Sequence, residues 1–115
     1  MSAGPVLEAD GRWGCSTTAA LQSLFGLDVD GIVWHQWPSN AQPAFASGWQ
    51  YDRTGKGSVV IRAMQGSLGV NVDGLVGPQM IMAMQRRYGL EPDGELPDGS
   101  ECVREMQRRL NEGAF

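Results

Sequence analysis

The sequence predicts a mainly α-helical domain of about four short helices with one long, aromatic-rich insertion. Two observations support this fold class. Four glutamines stand at the same place in four similar stretches, each with a glycine eight residues before it. Around each glutamine, apolar residues recur at positions i, i+3 and i+7, which is the spacing of one buried helix face. The glutamines are Gln22, Gln65, Gln85 and Gln107.

Each stretch is expected to form one amphipathic helix of about three turns. The four apolar faces are Thr18/Leu21/Phe25, Ile61/Met64/Leu68, Ile81/Met84/Tyr88 and Val103/Met106/Leu110. Ser16, Ser58 and Ser100 are expected N-caps, because a serine oxygen can accept a bond from an unpaired N–H of the first turn. Pro78 suits the first helical position, where no helical N–H bond is needed.

The C-terminal ends of the helices are also marked. Gly26, Gly69 and Gly89 follow their glutamines by four residues, and Asn111 takes this place in the fourth stretch. Glycine and asparagine tolerate the left-handed conformation that commonly ends a helix. We therefore expect each helix to end at these residues.

Asp-Gly pairs give the domain its predicted organisation. A pair follows each of the first three glutamines by eight residues, and Asp10-Gly11 opens the first stretch. Residues 10–69 and 73–115 form two repeat halves of one domain spanning 1–115. The internal offsets of 63 and 42 residues differ by 21, which places an insertion of that length within 32–56.

The insertion differs in composition from the rest of the chain. It holds Trp34, Trp37 and Trp49 together with Phe45 and Tyr51, and its prolines and glycines argue against a long helix. One interpretation is that the rings fold back over the helices as a satellite core. The other is that some rings stay exposed and stack on sugar faces beside polar neighbours.

The repeat resembles the peptidoglycan-binding domain family, which comprises small helical modules of phage endolysins and bacterial cell-wall hydrolases. The matching residues are Asp10-Gly11-Arg12-Trp13-Gly14 with Ala20-Leu21-Gln22, Asp73-Gly74-Leu75-Val76-Gly77-Pro78 with Ala83-Met84-Gln85, and Gly89-Leu90-Glu91-Pro92-Asp93-Gly94. Val76 departs from the family's aromatic and Met80 from its threonine, whereas Trp13 and Thr17 keep them. The binding determinants are therefore expected nearer the first half.

The resemblance implies two fused peptidoglycan-binding-like repeats with a noncatalytic role. Such a module binds peptidoglycan, through its glycan or its stem peptide, and targets an attached hydrolase such as a muramidase or amidase. We expect an extracellular, cell-wall location, no cofactor and a monomer. The expected contact residues are Trp34, Trp37, Trp49, Tyr51 and Arg53, then Trp13, which can equally belong to the core.

The composition of the chain limits the classes of partner that it is expected to bind. The net charge of −4 disfavours bulk attraction to duplex DNA or anionic wall polymers. No run of about 18 apolar residues is present, so no membrane contact by a span is expected, and Met1–Val6 shows no export signal. Cys15 and Cys102 allow one disulfide, but free buried thiols are the favoured interpretation.

Three other functions compete with wall binding as interpretations of the sequence. An enzyme lacks an evident nucleophile, base or metal site, since His35 is the only histidine and the aspartates precede glycine in turns. A helical DNA-binding or protein-interaction domain is the alternative, on the basis of Arg86-Arg87, Arg104 and Arg108-Arg109. A calcium loop is rejected, because its bidentate glutamate would fall at Trp37 or Met80.

Overall fold

Four α-helices form where the apolar face repeats. In the computed structural model, which describes residues 6–115, α1 spans Cys15–Leu24, α2 Val59–Leu68, α3 Pro78–Arg87 and α4 Glu101–Asn111. The prediction of a mainly α-helical domain with four short helices is confirmed. Residues 1–5 lie outside the described residues, so most of Met1–Val6, where no export signal is expected, is not described.

The predicted apolar faces build one core. Leu21, Ile61, Met64, Ile81, Met84, Val103 and Met106 are fully or almost fully buried. Of the last residues of the four faces, Tyr88 belongs to this buried cluster, whereas Phe25, Leu68 and Leu110 are partly buried against it. A Cα radius of gyration of 12.9 Å is that of a compact chain of this length.

The N-terminal ends of α2 and α4 are capped as predicted. The Ser58 and Ser100 side chains accept bonds from the N–H groups three residues on, at 3.4 and 3.3 Å. The prediction for Ser16 is wrong, because the N-cap is Gly14, two residues earlier, and α1 begins at Cys15. Its first N–H, on Cys15, instead donates to Ser47 Oγ of the insertion at 3.1 Å.

Three of the four residues expected to end the helices take the left-handed conformation, with φ of 71°, 74° and 73° at Gly26, Gly69 and Gly89. The fourth prediction is wrong. Asn111 is still helical, and Gly113, with φ 79°, has the left-handed backbone beyond α4. The Asn111 side chain instead bonds Leu7 at the other end of the chain, accepting from its N–H at 2.7 Å and donating to its carbonyl at 3.0 Å.

The insertion contains a small parallel sheet that the sequence did not predict. β1 spans Val33–Gln36 and β2 Trp49–Tyr51, with a 3-10 turn at Pro38–Asn40 between them. Both strands are rich in aromatic or β-branched residues, which fit a half-buried pleated surface. The buried Gln36 connects the sheet to the segment between α2 and α3: its amide donates to Gly74 O at 2.8 Å and accepts from Val76 N at 2.8 Å.

Each repeated glutamine clasps an Asp-Gly turn. Gln65 Oε1 accepts from Asp73 N and Gly74 N at 3.0 and 2.8 Å, and its Nε2 donates to Asp73 Oδ1 at 2.8 Å. Gln22 holds Asp30-Gly31 in the same way, and Gln85 bonds the Asp93 carboxylate and Gly94 N. These bonds explain why a buried helix face keeps a polar residue.

The fourth clasp joins the two ends of the chain. Gln107 Oε1 accepts from Gly11 N at 3.0 Å, and Nε2 donates to Asp10 Oδ1 at 3.2 Å. Ser100 N, at the start of α4, donates to Gly11 O at 3.1 Å, as Ser58 N does to Gly74 O at 2.9 Å. The Asp-Gly pair that the fourth stretch lacks in sequence is therefore supplied by the beginning of the chain.

Candidate ligand-binding cleft

A cleft of about 770 Å³, here called the Trp34 cleft, opens beside the insertion. It lies between the segment after α1, strand β1 and the first turn of α2. Its lining residues are Gln22, Gly26, Leu27, Asp28, Asp30, Ile32, Trp34, His35, Gly57, Ser58, Val59 and Val60. A cavity of this size is large enough to hold a sugar unit or a few residues of a peptide.

The Trp34 side chain is held in place at the wall of this cleft. Its Nε1 donates to Asp30 Oδ2 at 2.8 Å, while 42% of the residue remains exposed. Asp30 is itself positioned by Gln22 Nε2 at 2.8 Å and by the Ile32 N–H at 3.0 Å. The ring is thus fixed by the first glutamine clasp and presents a preorganised apolar face to a ligand.

Asp30 is a negative charge in the cleft wall at neutral pH. The hydrogen bonds from Trp34 and Gln22 hold the pKa of its carboxyl below the ordinary value of 3.8, against a smaller opposing effect of burial. Asp28, two residues earlier, is exposed and also lines the cleft. Neither lysine nor arginine is among the lining residues.

His35 contributes to the cleft in an unusual backbone conformation. Its φ of 56° is left-handed, and it is the one non-glycine residue of the described chain with positive φ. Its Nδ1 lies 2.5 Å from Asp52 Oδ2, at the start of the segment after β2. That hydrogen bond is the main reason why the pKa of Asp52 is lowered.

A smaller groove occurs at the equivalent place one helix further along. It measures about 180 Å³ and is called here the Asp73 groove. Its lining repeats that of the Trp34 cleft at the same distances from Gln65 and Gln85, with Val70, Asn71, Asp73 and Leu75 on one side and Gly77, Pro78, Gln79 and Met80 on the other. Nothing in it corresponds to Trp34 or His35, so the insertion supplies the additional wall of the larger cleft.

The structure removes two predicted contact residues from the surface. Trp13 has no exposed area, and its Nε1 donates to Thr18 Oγ1 at 2.9 Å. Trp49 is 8% exposed, donates to Trp13 O at 2.9 Å and stacks on Phe45 at 3.7 Å between ring centroids. The contact role predicted for Trp13 and Trp49 is corrected accordingly: both rings are core, because Trp49 of the insertion packs edge-on against Trp13, just before α1, with the ring centroids 5.0 Å apart.

The other predicted contact residues lie outside the cleft lining. Trp37 is half-buried against Gly55. Tyr51 is 38% exposed at the outer end of the ring stack, 6.5 Å from Trp49, and Arg53 is exposed in the turn after β2. Of the six predicted residues, the structure therefore brings only Trp34 into the cleft, together with Asp28, Asp30 and His35.

Most helix-end arginines are engaged within the protein. Arg108 bonds both Glu101 and Glu105, at 3.2 and 3.1 Å, and Arg109 lies over the Tyr88 ring at 4.8 Å. The remaining contacts of this kind are Arg12–Asp98, Arg104–Glu101, Arg109–Glu105 and Arg87–Phe115. These pairs reduce the positive charge that helices α3 and α4 can offer to a polyanion.

The described residues offer few elements of a reaction centre. His35 and Asp52 form a pair, but no hydroxyl or thiol is bonded to His35 within residues 6–115. In the same part of the chain, no group of three or more acidic, histidine or cysteine side chains could hold a metal ion. None of the helices described is long and apolar enough to cross a membrane.

The cysteines are unpaired and differ in environment. Cys102 is buried, which raises the pKa of its thiol to about 12. The expectation of two buried thiols is wrong for Cys15, which is exposed at the start of α1. It is exposed there because α1 begins at this residue, against the insertion rather than inside the core.

Sequence reasoning identified Trp34 but missed the acidic wall beside it. The sequence indicates only a turn role for Asp30, which precedes a glycine, and gives no binding role to Asp28 or His35. The spacing of Asp30 from Gln22 was the available indication, since it repeats with Asp73 and Asp93. No family model, curated protein or solved structure matches the chain.

Proposed function

We propose that this chain is a noncatalytic peptidoglycan-binding module of two fused repeats, and that the Trp34 cleft is its ligand site. The observation that carries the proposal is the exposed Trp34 ring, held by Asp30 in a cleft of about 770 Å³. Rigid aromatic faces bind sugars and peptides with little loss of side-chain entropy. The same cleft offers carboxylate and histidine groups for hydrogen bonds to hydroxyls and amides.

The difference in size between the Trp34 cleft and the Asp73 groove supports the Trp34 cleft as the ligand site. The Trp34 cleft is about 770 Å³ and the Asp73 groove about 180 Å³, although both lie between an Asp-Gly turn and the start of the next helix. The 21-residue insertion accounts for the difference. A segment that enlarges one of two otherwise similar hollows, and adds an exposed tryptophan to it, is suited to ligand binding.

The recurring clasp supports the repeat organisation and the family resemblance. The glutamine, the Asp-Gly pair and the left-handed glycine are the residues on which the resemblance rests. In this structure the glutamine of each helix bonds an Asp-Gly turn, most fully at Gln22 and Gln65. Two halves built on such turns give a stiff scaffold for a polymer ligand.

Attachment to a repeating wall polymer explains how a modest site is useful. One cleft buries a limited area, so its affinity for a single unit is expected to be low. A wall presents many copies, which raises the residence of a linked hydrolase through effective concentration. The proposal therefore includes a muramidase- or amidase-type catalytic partner in the parent protein and action at the bacterial cell wall.

Co-sedimentation with purified, enzyme-stripped sacculi tests the proposal. The native chain is expected to pellet saturably, and Trp34→Ala is expected to weaken binding about tenfold, as for an interface aromatic worth about 1.4 kcal/mol. Val72→Ala is the matched control, since Val72 is 51% exposed and lines neither hollow. All variants are checked for folding by circular dichroism.

Two results would overturn the proposal. One is no pelleting above an unrelated control protein. The other is equal loss of binding with Trp34→Ala and Val72→Ala, which would place the contact elsewhere. Saturable binding to duplex DNA that falls steeply with salt would support the alternative of a helical DNA-binding domain.

A further inference from the structure

The Trp34 cleft has an asymmetric distribution of charge. Asp28 and Asp30 line one side, and no lysine or arginine lines any part of it. His35, the remaining titratable group of the lining, is paired with Asp52. On the opposite side α2 begins at Val59, and its N-terminal end carries the partial positive charge of the helix dipole. A cationic group would therefore be attracted to the side formed by Asp28 and Asp30.

The aromatic ring stands directly beside this negative charge. Trp34 Nε1 donates to Asp30 Oδ2 at 2.8 Å, so the ring edge that bears the N–H is occupied by the carboxylate. Ring faces attract cations through the quadrupole of the π system. A carboxylate bonded to the indole N–H adds electron density to the ring and a full negative charge next to it. Both features favour a cation over the Trp34 face.

The rest of the lining suits an aliphatic chain rather than a second charge. Leu27, Ile32 and Val59 line the cleft, and Val59 is 63% exposed. Exposed apolar side chains of this kind can contact the methylene groups of a flexible arm. The cleft thus combines an apolar wall, an aromatic face and two carboxylates.

The Asp73 groove provides an internal comparison for the charged position. Asn71 stands there at the place of Asp28, with the same spacing to the clasp glutamine. The smaller groove therefore has one carboxylate fewer and lacks the aromatic ring. The additional charge and the ring occur together, in the hollow that the insertion enlarges.

We propose that the Trp34 cleft binds a primary ammonium group at the end of an aliphatic arm, the group presented by the free diamino acid of wall stem peptides. The ammonium lies over Trp34 and near Asp28, and the arm lies along Val59. This inference rests on the proposed function, because it names which part of the peptidoglycan the cleft binds. The stem peptide, and not the glycan, is then the specific ligand.

The test compares native sacculi with sacculi whose free amines have been acetylated by acetic anhydride. Native protein is expected to bind acetylated sacculi at least about fivefold more weakly. Asp28→Asn, which copies Asn71, is expected to weaken binding to untreated sacculi about threefold to tenfold, the range for a partly exposed charge contact. It should also lose most of its sensitivity to acetylation.

A second variant with the same net charge separates a local contact at Asp28 from general repulsion between the protein and an anionic wall. Asp28→Asn and Glu91→Gln each change the net charge from −4 to −3. Glu91 is exposed and outside the lining of both hollows. If general repulsion from an anionic wall governed binding, both variants would bind equally well or more tightly. The proposal requires that Glu91→Gln binds like the native protein and that Asp28→Asn binds more weakly.

Soluble competitors separate the two sources of amines. 1,5-Diaminopentane is expected to displace the protein from sacculi, whereas glucosamine at equal concentration is not. Equal competition by glucosamine would overturn the assignment to the peptide. Equal binding to acetylated and untreated sacculi would overturn the ammonium site but leave wall binding intact. Absence of binding to both kinds of sacculi would overturn wall binding and the ammonium site together.

Discussion

Replacement of Gln107 by methionine tests the clasp that joins the two ends of the chain. Gln107 is 1% exposed, and its amide bonds Gly11 N, Asp10 Oδ1, Arg12 O and Thr17 Oγ1 at 2.9–3.2 Å. Methionine has a similar length and a comparable helix propensity, so the helix itself is expected to persist. The substitution therefore removes the hydrogen bonds with little change in volume.

The expected loss of stability depends on which partners of Gln107 are left without any hydrogen-bond partner. Gly11 and Thr17 are buried, whereas Asp10 and Arg12 are exposed and can turn to water. A buried polar group left without a partner costs about 1–3 kcal/mol, and the added apolar burial of methionine offsets about 1 kcal/mol. We expect a loss of about 3 kcal/mol in the free energy of unfolding.

Thermal and urea denaturation followed by circular dichroism measure this loss. An unfolding entropy of about 2.1 cal/mol/K per residue gives about 0.24 kcal/mol/K for 115 residues, so Tm should fall by about 12 °C. Gln79→Met is the control, because Gln79 is exposed in the first turn of α3. A loss below 1 kcal/mol for Gln107→Met, or a loss equal to that of the control, would refute a stabilising role for the clasp.

Three further substitutions or reactions test separate parts of the structure. Gly48 has φ 83°, and a Cβ added there would meet Cys15 Sγ at 2.8 Å, whereas Gly26 has φ 71° and no atom within 4 Å of the added Cβ. Gly48→Ala should therefore lower the free energy of unfolding by at least about 2 kcal/mol more than Gly26→Ala does. Equal losses in urea unfolding would contradict this. The hydrogen bond with His35 lowers the pKa of Asp52, so this carboxylate stabilises the fold above its ordinary pKa of 3.8, and the stabilisation is lost as the pH falls through the folded pKa. Asp52→Asn should be less stable than the native protein at pH 7 and equally stable in strong acid. A stability difference that grows on acidification would refute this pH dependence. A thiol reagent should label Cys15 rapidly in the folded protein and Cys102 only after denaturation, because Cys102 is buried with a raised pKa; two fast thiols would contradict the buried position.

The helices were predictable because their information is local. The i, i+3, i+7 apolar spacing and the serine and glycine caps lie within one stretch of sequence, and three of the four C-terminal ends follow them. The first and last helix boundaries were wrong where distant residues intervene. Ser47 of the insertion satisfies the start of α1, and Asn111 bonds Leu7 instead of ending α4.

No local sequence pattern indicates the hydrogen bonds that join the two ends of the chain or those that hold the insertion. Gln107 and Gly11 are 96 residues apart, and Gln36 and Val76 are 40 apart. A glutamine in an aromatic loop does not reveal which backbone groups it will bond. The division of the tryptophans between core and surface was open for the same reason, since it depends on how the insertion packs over α1.

Ligand contact at the Trp34 cleft is the central claim, and the indole N–H signals of the four tryptophans measure it most directly. The ¹⁵N-labelled protein is titrated with soluble muropeptides from digested sacculi. Trp13 and Trp49 serve as internal references, because both are buried and donate to fixed partners at 2.9 Å. We expect a saturable shift of the Trp34 signal and of the Gly57 amide, with the two references unchanged. Saturable shifts confined to residues outside the cleft, or no shifts at all, would contradict the claim.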